Sequence, residues 1–501
     1  MTTPATPAPA GSPAQLAALR EDLRAAPYTV DRVEQVLGPV AEAALHREQP
    51  LPADLATRGS EDPVATLLRV FVLGLPVSAA ALAAALPRTG VRGVQALGLV
   101  GQGSRVSGLC DLRPYGEDQH TWWVASDLTE TATGRALGTG HVLGVGGAST
   151  TLASWTPRPR VRRALDLGTG CGVQSLHLAG HTSHRVATDL SARALDFARF
   201  TAGLNEVELD LRAGSLWEPV AGEEFDLVVS NPPFVITPRR ADVPVYDYRD
   251  GGATGDEVVA GLVRGMESHL APGGIAQLLG NWELRSGESW QEHVSGWLEG
   301  TGLDAWVVQR DMQDVAEYAE TWARDGGHRP GTAGFDGLYE AWLSDFAARG
   351  VERVGFGVLT LQRPGQDRAP WRVLEHLPSP TAVPMGPTVL AEVRARTWLA
   401  LHSDDEVLSV PWSVADDVGE ERVGYPGAPD PAVIRLRQGG GLRRVEQLDT
   451  LTAAVVGACD GDLSAAQIVQ AVAVLTDVDA GEVKAQVVPR LRRLIAGGLM
   501  H

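Results

Sequence analysis

Apolar and polar positions follow two rhythms along this chain. From Gln15 to about Val100 the spacing is helical, with Leu67, Leu68, Phe71, Val72 and Leu75 on one face. Ser78 is placed to cap a helix over AAALAAAL, and Pro87 ends it. GVQALGLV predicts a further short helix, and RVSGLCDLRP and HTWWVASDL alternate as two strands of a hairpin. From residue 161 to 363 the rhythm changes. ALDL, HRVATD, VELDLR, FDLVVS, GIAQLL, DAWVVQ and GFGVLTL read as strands, and SARALDFARFTAGLN reads as an amphipathic helix between them. Strands alternating with helices predict a mainly parallel sheet covered on both faces, an α/β fold.

About forty residues separate DAWVVQR from GFGVLTL, too many for an ordinary loop. Residues 312–349 are therefore expected to be a helical insertion, with helices over DVAEYAETWARD and GLYEAWLSDFAAR. Tyr318 and Trp322, four apart on one helical face, are expected to close over a substrate as part of a lid. Prolines then accumulate (RPGQDRAP, LPSPTAVPMGP) and mark a linker. Beyond it Ser464 can cap AAQIVQAVAVL, and Val483, Val487, Val488, Leu491 and Leu494 stripe a final helix. The expected organisation is a disordered tail over 1–14, an N-terminal helical, winged-helix-like domain over 15–134, an α/β domain over 135–364, and a linker with a C-terminal winged-helix-like domain over 365–501.

Composition narrows the function classes. Lys+Arg number 43 against 62 Asp+Glu, giving a net charge of −19. Such an excess of acid opposes non-specific coating of nucleic acid or anionic membrane, while leaving a local basic groove open. The three cysteines, Cys110, Cys171 and Cys459, are too dispersed for a zinc cluster or a disulfide framework. His177 and His181 lack a third ligand nearby and are expected on the surface, so no metal is expected. The first ten residues lack the pattern of a signal peptide, and the apolar run Leu67–Leu75 contains Arg69 and is too short to span a bilayer. A cytoplasmic protein without membrane partners is expected.

The chemistry concentrates in two turns. After ALDL comes Asp166-Leu167-Gly168-Thr169-Gly170-Cys171-Gly172. A strand breaking into alternate glycines lets backbone approach a ligand without Cβ clashes. The next strand ends at Asp189, at the distance expected of an acid that accepts hydrogen bonds from both hydroxyls of a ribose. Both a dinucleotide and S-adenosylmethionine suit a glycine turn plus a ribose acid, but Val173 stands where the dinucleotide fingerprint has its third glycine.

The second turn is Asn231-Pro232-Pro233-Phe234, at the end of FDLVVS. Paired prolines fix the backbone and contribute no N–H. An amide or exocyclic amine nitrogen is a poor nucleophile because its lone pair is delocalised. The side-chain oxygen of Asn231 and the backbone oxygen of Pro232 can accept its two N–H bonds and stabilise charge as it attacks. Phe234 can stack on the planar acceptor.

The form Asp-x-Gly-x-Gly-x-Gly resembles motif I of class I S-adenosylmethionine-dependent methyltransferases. Asn231-Pro232-Pro233-Phe234-Val235-Ile236-Thr237-Pro238, followed by DGGATGDEVV (Asp250 to Val259), resembles the HemK-like, release-factor glutamine methyltransferase group in a large actinobacterial-type form. The resemblance covers about residues 135–363. It implies a Rossmann-like seven-stranded sheet and S-adenosyl-L-methionine as cofactor. It implies cofactor contacts from Asp166, Gly168, Thr169, Gly170, Gly172, Asp189, Ser215 and Asn231, and catalysis by Asn231, Pro232, Pro233 and Phe234. GTGHVLGVGGAST (Gly138 to Thr150) lies where this group has a segment closing over the cofactor. Ser215 stands where an adenine-contacting Asp is usual. Phe234 replaces the more usual tyrosine and is common in ribosomal RNA guanine methyltransferases, whose following histidine is here Val235.

The expected activity is methyl transfer to an amide or amino nitrogen of a macromolecular substrate. A protein glutamine side chain, in a release factor or other translation component, is favoured over a guanine or adenine amino group of rRNA, tRNA or DNA. A reading of another class is a nucleic-acid-binding regulator whose central fold binds cofactor without turnover.

Overall fold

The structure is a computed structural model and describes residues 6–117, 120–135, 137–240, 243, 245–246, 248–427 and 430–501. It divides into two compact units. The first comprises Met1–Leu152, Arg160–Thr301 and Asp311–Arg363, and the second Ala153–Pro159, Gly302–Arg310 and Pro364–His501.

The α/β region has eight strands: β1 (Val161–Leu167), β2 (Thr182–Asp189), β3 (Asp210–Ala213), β4 (Phe225–Ser230), β5 (Leu270–Arg285), β6 (Asp304–Asp314), β7 (Val351–Gln362) and β8 (Arg372–His376). In the first unit six of them lie in the order β7-β5-β4-β1-β2-β3. The neighbours from β5 through β4, β1 and β2 to β3 run parallel, and β7 is antiparallel to β5. Crossover helices include α1 (Val173–Ala179), α2 (Ala192–Leu204) and α3 (Glu257–Met266), followed by α4 (Trp290–Leu298). The strands of such a sheet are buried on both faces and read as continuous apolar runs, as Leu227, Val228 and Val229 of β4 do.

Seven strands were expected, and β8 is the extra one. It comes from WRVLEH, inside the proline-rich stretch read as linker, and pairs in parallel with Ala305–Gln309 of β6 within the second unit. Five residues between prolines suffice for an edge strand, where missing N–H donors cost little. The two insertion helices form as expected, α5 (Val315–Asp325) and α6 (Ala333–Arg349).

Before the sheet, the first unit carries short helices and the hairpin Asp111–Glu117 with His120–Ser126. Side chains of α2 and its C-cap complete that hairpin's edge. Asn205 accepts from Trp123 N–H at 2.9 Å and donates to Trp123 O at 2.8 Å, and Thr201 accepts from Ala125 N–H at 3.2 Å. The expected disordered tail is ordered over its described part. Arg193 donates to Thr6 O at 2.7 Å, Ala10 N–H reaches Leu97 O at 3.0 Å, and Ser12 caps a helix starting at Pro13. A Thr/Ala/Pro run shows no periodicity, yet its backbone groups still find partners.

The second unit contains the helices Gly386–Leu401 and Asp404–Ser409, the antiparallel sheet Val418–Val423, Val433–Gln438 and Val445–Leu448, and the helices Thr450–Gly457, Ala465–Thr476 and Ala480–Ala496. Ser464 forms a capping box with Gln467, and Val483, Val487, Leu491 and Leu494 are buried as the stripe predicts. Among the described residues, no helix is long and apolar enough to cross a membrane.

Candidate functional site

The two turns meet because their strands are neighbours. β1 and β4 pair in parallel, with Leu167 opposite Ser230, and Ser230 Oγ donates to Leu167 O at 2.8 Å. Both chains leave the sheet there, at the carboxyl ends of adjacent strands, where open α/β sheets bind ligands.

Gly168, Gly170 and Gly172 all have left-handed backbone, with φ of 76°, 55° and 88°. They serve different ends. A Cβ on Gly170 would meet nothing within 4 Å, and one on Gly168 would only reach Asn231 O at 4.0 Å, so both face open space. A Cβ on Gly172 would press on Ala198 Cα at 3.2 Å. Gly172 therefore allows helix-to-helix approach, while Gly168 and Gly170 leave room for a ligand.

Asp166 is buried under this turn. Its Oδ2 accepts from Thr169 Oγ1 and Ser175 Oγ, each at 2.7 Å, while Oδ1 is shielded from solvent and has no partner. Burial pushes its carboxyl up to about 6, against the lowering effect of the two hydroxyls. Asp189 closes β2 and accepts from Gly170 N–H at 2.9 Å and Ser191 N–H at 2.8 Å. Gly214 N–H donates to Asp189 O at 3.1 Å, which brings the turn after β3, with half-buried Ser215, to the same rim. Ser215 N–H bonds Glu218 at 3.2 Å.

Two residues of this rim were not anticipated. Leu190 is 71% exposed and Leu216 38%, the latter with φ of 46°. Both are large apolar side chains left in water just after the ends of β2 and β3. Their signal in the sequence was their place, each directly after a residue already singled out.

Asn231 follows β4. Its Oδ1 is shielded and has no hydrogen-bond partner. Such an acceptor is costly unless a ligand N–H completes it. Pro232 is buried, Pro233 and Phe234 half-buried. Phe234 bridges antiparallel to Asp250, and Val235 N–H donates to Arg249 O at 3.0 Å, so residues 234–250 close into a loop. Inside it the Asp250 carboxylate accepts from Thr237 Oγ1, and from Tyr246 N–H at 2.7 Å. Burial raises its pKa.

The expected lid takes another form. Tyr318 is fully buried, in an apolar cluster with Ile236, Trp342 and Phe346, and Trp322 is half-buried beside Arg249. Neither ring stands free to close on a substrate. The helical spacing of aromatics was legible, but spacing alone does not say whether an aromatic face meets solvent or core. His177 is also buried and bonds Tyr115 Oη at 2.9 Å, in place of the expected surface position. Among the described residues no group of three or more His, Cys, Asp or Glu is arranged to hold a metal.

Residues 144–297 match the family model of the methyltransferase small domain. Models described as domains of unknown function match residues 25–108 and 393–501. The chain is 35% identical over 163 residues to a release factor glutamine methyltransferase of Xylella fastidiosa, covering 30% of this chain and 56% of that one. It is 33% identical over 137 residues to ribosomal RNA small subunit methyltransferase C of Enterobacter sp., covering 27% and 35%. It is 30% identical over 166 residues to a ribosomal protein uL3 glutamine methyltransferase of Bradyrhizobium diazoefficiens, covering 30% and 52%. The chain thus spans about a third to just over half the length of these relatives. The central region is similar to methyltransferase domains, whose members take S-adenosylmethionine.

Proposed function

We propose that this chain is an S-adenosylmethionine-dependent N-methyltransferase whose acceptor is a protein glutamine side chain, in a release factor or other translation component. The observation that carries the activity is the unpartnered, shielded Oδ1 of Asn231 beside the open glycine turn. Two relatives named as glutamine methyltransferases support the acceptor.

The site fits the cofactor. Gly168 and Gly170 leave space above the turn, Asp166 Oδ1 offers an acceptor for an ammonium, and Asp189 stands at the ribose position. Thr169 fixes the Asp166 carboxylate, Gly172 seats α2, and Ser215, Leu190 and Leu216 border the adenine side. The cofactor supplies an electrophilic methyl on a sulfonium. Asn231 Oδ1 and Pro232 O accept the two N–H bonds of the acceptor nitrogen and aim its lone pair along the line of transfer. Phe234 stacks on the acceptor plane while Pro233 keeps the turn rigid. The bound cofactor would take back the C–S electron pair at sulfur as its methyl passes to the nitrogen that these residues hold. The methylated nitrogen is acidic and loses its proton without a strong base.

A nucleobase amino group is the second reading, favoured by Phe234 and by the ribosomal RNA methyltransferase among the relatives. A regulator that binds cofactor without turnover would use Asp166 Oδ1 but would have no need of the unpartnered Asn231 Oδ1. We assign residues 15–134 and 365–501 as flanking domains around a catalytic domain over 135–364. The test is transfer of tritiated methyl from S-adenosylmethionine into lysate of a strain lacking the protein, followed by protease and nuclease digestion. Label released by protease alone is expected, and no incorporation beyond a cofactor-only control would overturn the activity.

A further inference from the structure

Two side chains of the insertion grip one residue of the loop after Phe234. Ile236 N–H donates to Tyr318 Oη of α5 at 2.8 Å, and Ile236 O accepts from Trp342 Nε1 of α6 at 2.8 Å. Both rings are fully buried. Asn281 of β5 donates to the same Tyr318 oxygen at 3.2 Å, which ties this contact to the sheet. The flanking residues are held as well, Val235 through Arg249 O and Thr237 through Asp250. Phe234, two positions before Ile236, packs on the cluster that these rings form with Phe346 and Leu338.

A residue bonded by side chains on both its N–H and its C=O loses the freedom of its two peptide planes. The short run from Asn231 to Ile236 includes two prolines and has little slack of its own. The position of Ile236 is thus passed to Phe234 and to the Asn231 and Pro232 oxygens. We propose that Tyr318 and Trp342 are positioning residues for methyl transfer, and that the insertion is a fixed buttress under the Asn-Pro-Pro-Phe turn. This rests on reading that turn as the holder of the acceptor nitrogen. Misplacement of reacting groups by an ångström costs on the order of a hundredfold in rate. Loss of one anchor is therefore expected to lower turnover by roughly ten- to a hundredfold.

The test compares Tyr318→Phe and Trp342→Phe with Leu338→Ala, a change in the same cluster that removes neither hydrogen bond to Ile236. Hydrogen exchange across residues 234–238 reads the clamp without any reaction. Faster exchange of the Ile236 amide is expected in Tyr318→Phe, and wild-type protection would overturn the proposal. Transfer of tritiated methyl into lysate, with S-adenosylmethionine varied, reads the consequence. Both phenylalanine variants should lose maximal rate with unchanged KM for the cofactor, while Leu338→Ala, though less stable, keeps its rate. Unaltered transfer by Tyr318→Phe beside an active wild type, or an equal loss in Leu338→Ala, overturns the clamp alone. A wild type that transfers no methyl overturns the reading of the site itself.

Discussion

Asp189 Oδ2 accepts the backbone N–H of Gly170 at 2.9 Å, so the acid that ends β2 also holds the glycine turn that follows β1. A residue expected only to meet a ribose is part of the turn's own architecture. Asp189→Ala should strike both roles, and Asp189→Asn nearly as hard, because an amide offers one acceptor oxygen where the N–H groups of Gly170 and Ser191 take two. Hydrogen bonds to a charged group contribute about 1.5–3 kcal/mol each, so affinity for S-adenosylhomocysteine should fall at least about tenfold. Isothermal titration checks this, and equal affinity in Asp189→Ala would remove the ribose assignment.

The Asp166 carboxyl gives a pH signature. Burial raises its folded pKa from 3.8 to about 6. A carboxyl raised on folding favours the folded state at acid pH. The contribution is complete below about 4 and is lost as pH rises through 6. Without cofactor, Asp166→Asn should therefore stabilise the protein at pH 8 by up to about 3 kcal/mol and leave it unchanged at pH 4. With cofactor the sign reverses, because an ammonium partner needs the carboxylate. Affinity of the wild type for S-adenosylhomocysteine should weaken as pH drops below 6, while Asp166→Asn binds weakly at both ends. Denaturation curves and titrations at the two pH values decide it; equal wild-type affinity at pH 5 and pH 8 would count against an ammonium at Asp166.

Much of this was legible from patterns whose physics is local. Strand-to-glycine breaks mark places where backbone turns and a ligand approaches, and Asp189 and Asn231 follow directly from strand ends. What the sequence withheld depends on contacts between distant segments. Nothing in the spacing of Tyr318 and Trp322 distinguishes a lid from a buttress, because the burial of Tyr318 comes from Val235, Ile236 and Val243 packing with α5 and α6. Nor did Thr6 or WRVLEH show any periodicity to announce an Arg193 partner or an edge strand. Gly172 shows the same limit at one position. It belongs to the motif as written, yet its missing Cβ makes room for Ala198 and not for a ligand.

Asn231→Ala should leave affinity for S-adenosylhomocysteine nearly unchanged, because its unpartnered Oδ1 is assigned to the acceptor nitrogen. Turnover should drop by roughly a hundredfold or more, the usual cost of one preorganised group that stabilises developing charge. Single-turnover methyl transfer at saturating cofactor separates the two effects. Full activity would end the proposed role of this turn.

Gly255 is a fourth test, away from both turns. Its φ is 61°, and a Cβ there would lie 2.8 Å from Glu283 Oε1 and 3.1 Å from Arg349 Nη1. Glu283 is fully buried and ion-paired with Arg285 and Arg349, so it has no room to yield. The next residue, Asp256, accepts from Glu283 N–H at 2.8 Å and pairs with His293 at 2.7 Å. Gly255→Ala should cost about 1–3 kcal/mol from left-handed backbone alone, with the overlap added. Urea denaturation measures it, and a wild-type midpoint would show that this corner is not as tightly built as its contacts imply.

The acceptor itself is the last prediction. Amide and base amino nitrogens ask the same geometry of Asn231, Pro232 and Phe234, so the turn alone does not choose between them. Charge does bear on the choice. At a net −19 the chain works against the counterion release that drives most nucleic-acid binding. Val235 is buried and its N–H is spent on Arg249 O, so the position taken by histidine in the guanine enzymes offers no polar contact to a base. Mass spectrometry of proteins and RNA from a deletion strain and its parent should therefore show a methylglutamine lost and ribosomal RNA methylation intact. Loss of a methylated base with every methylglutamine preserved would move the acceptor to RNA while leaving the N-methyltransferase chemistry in place.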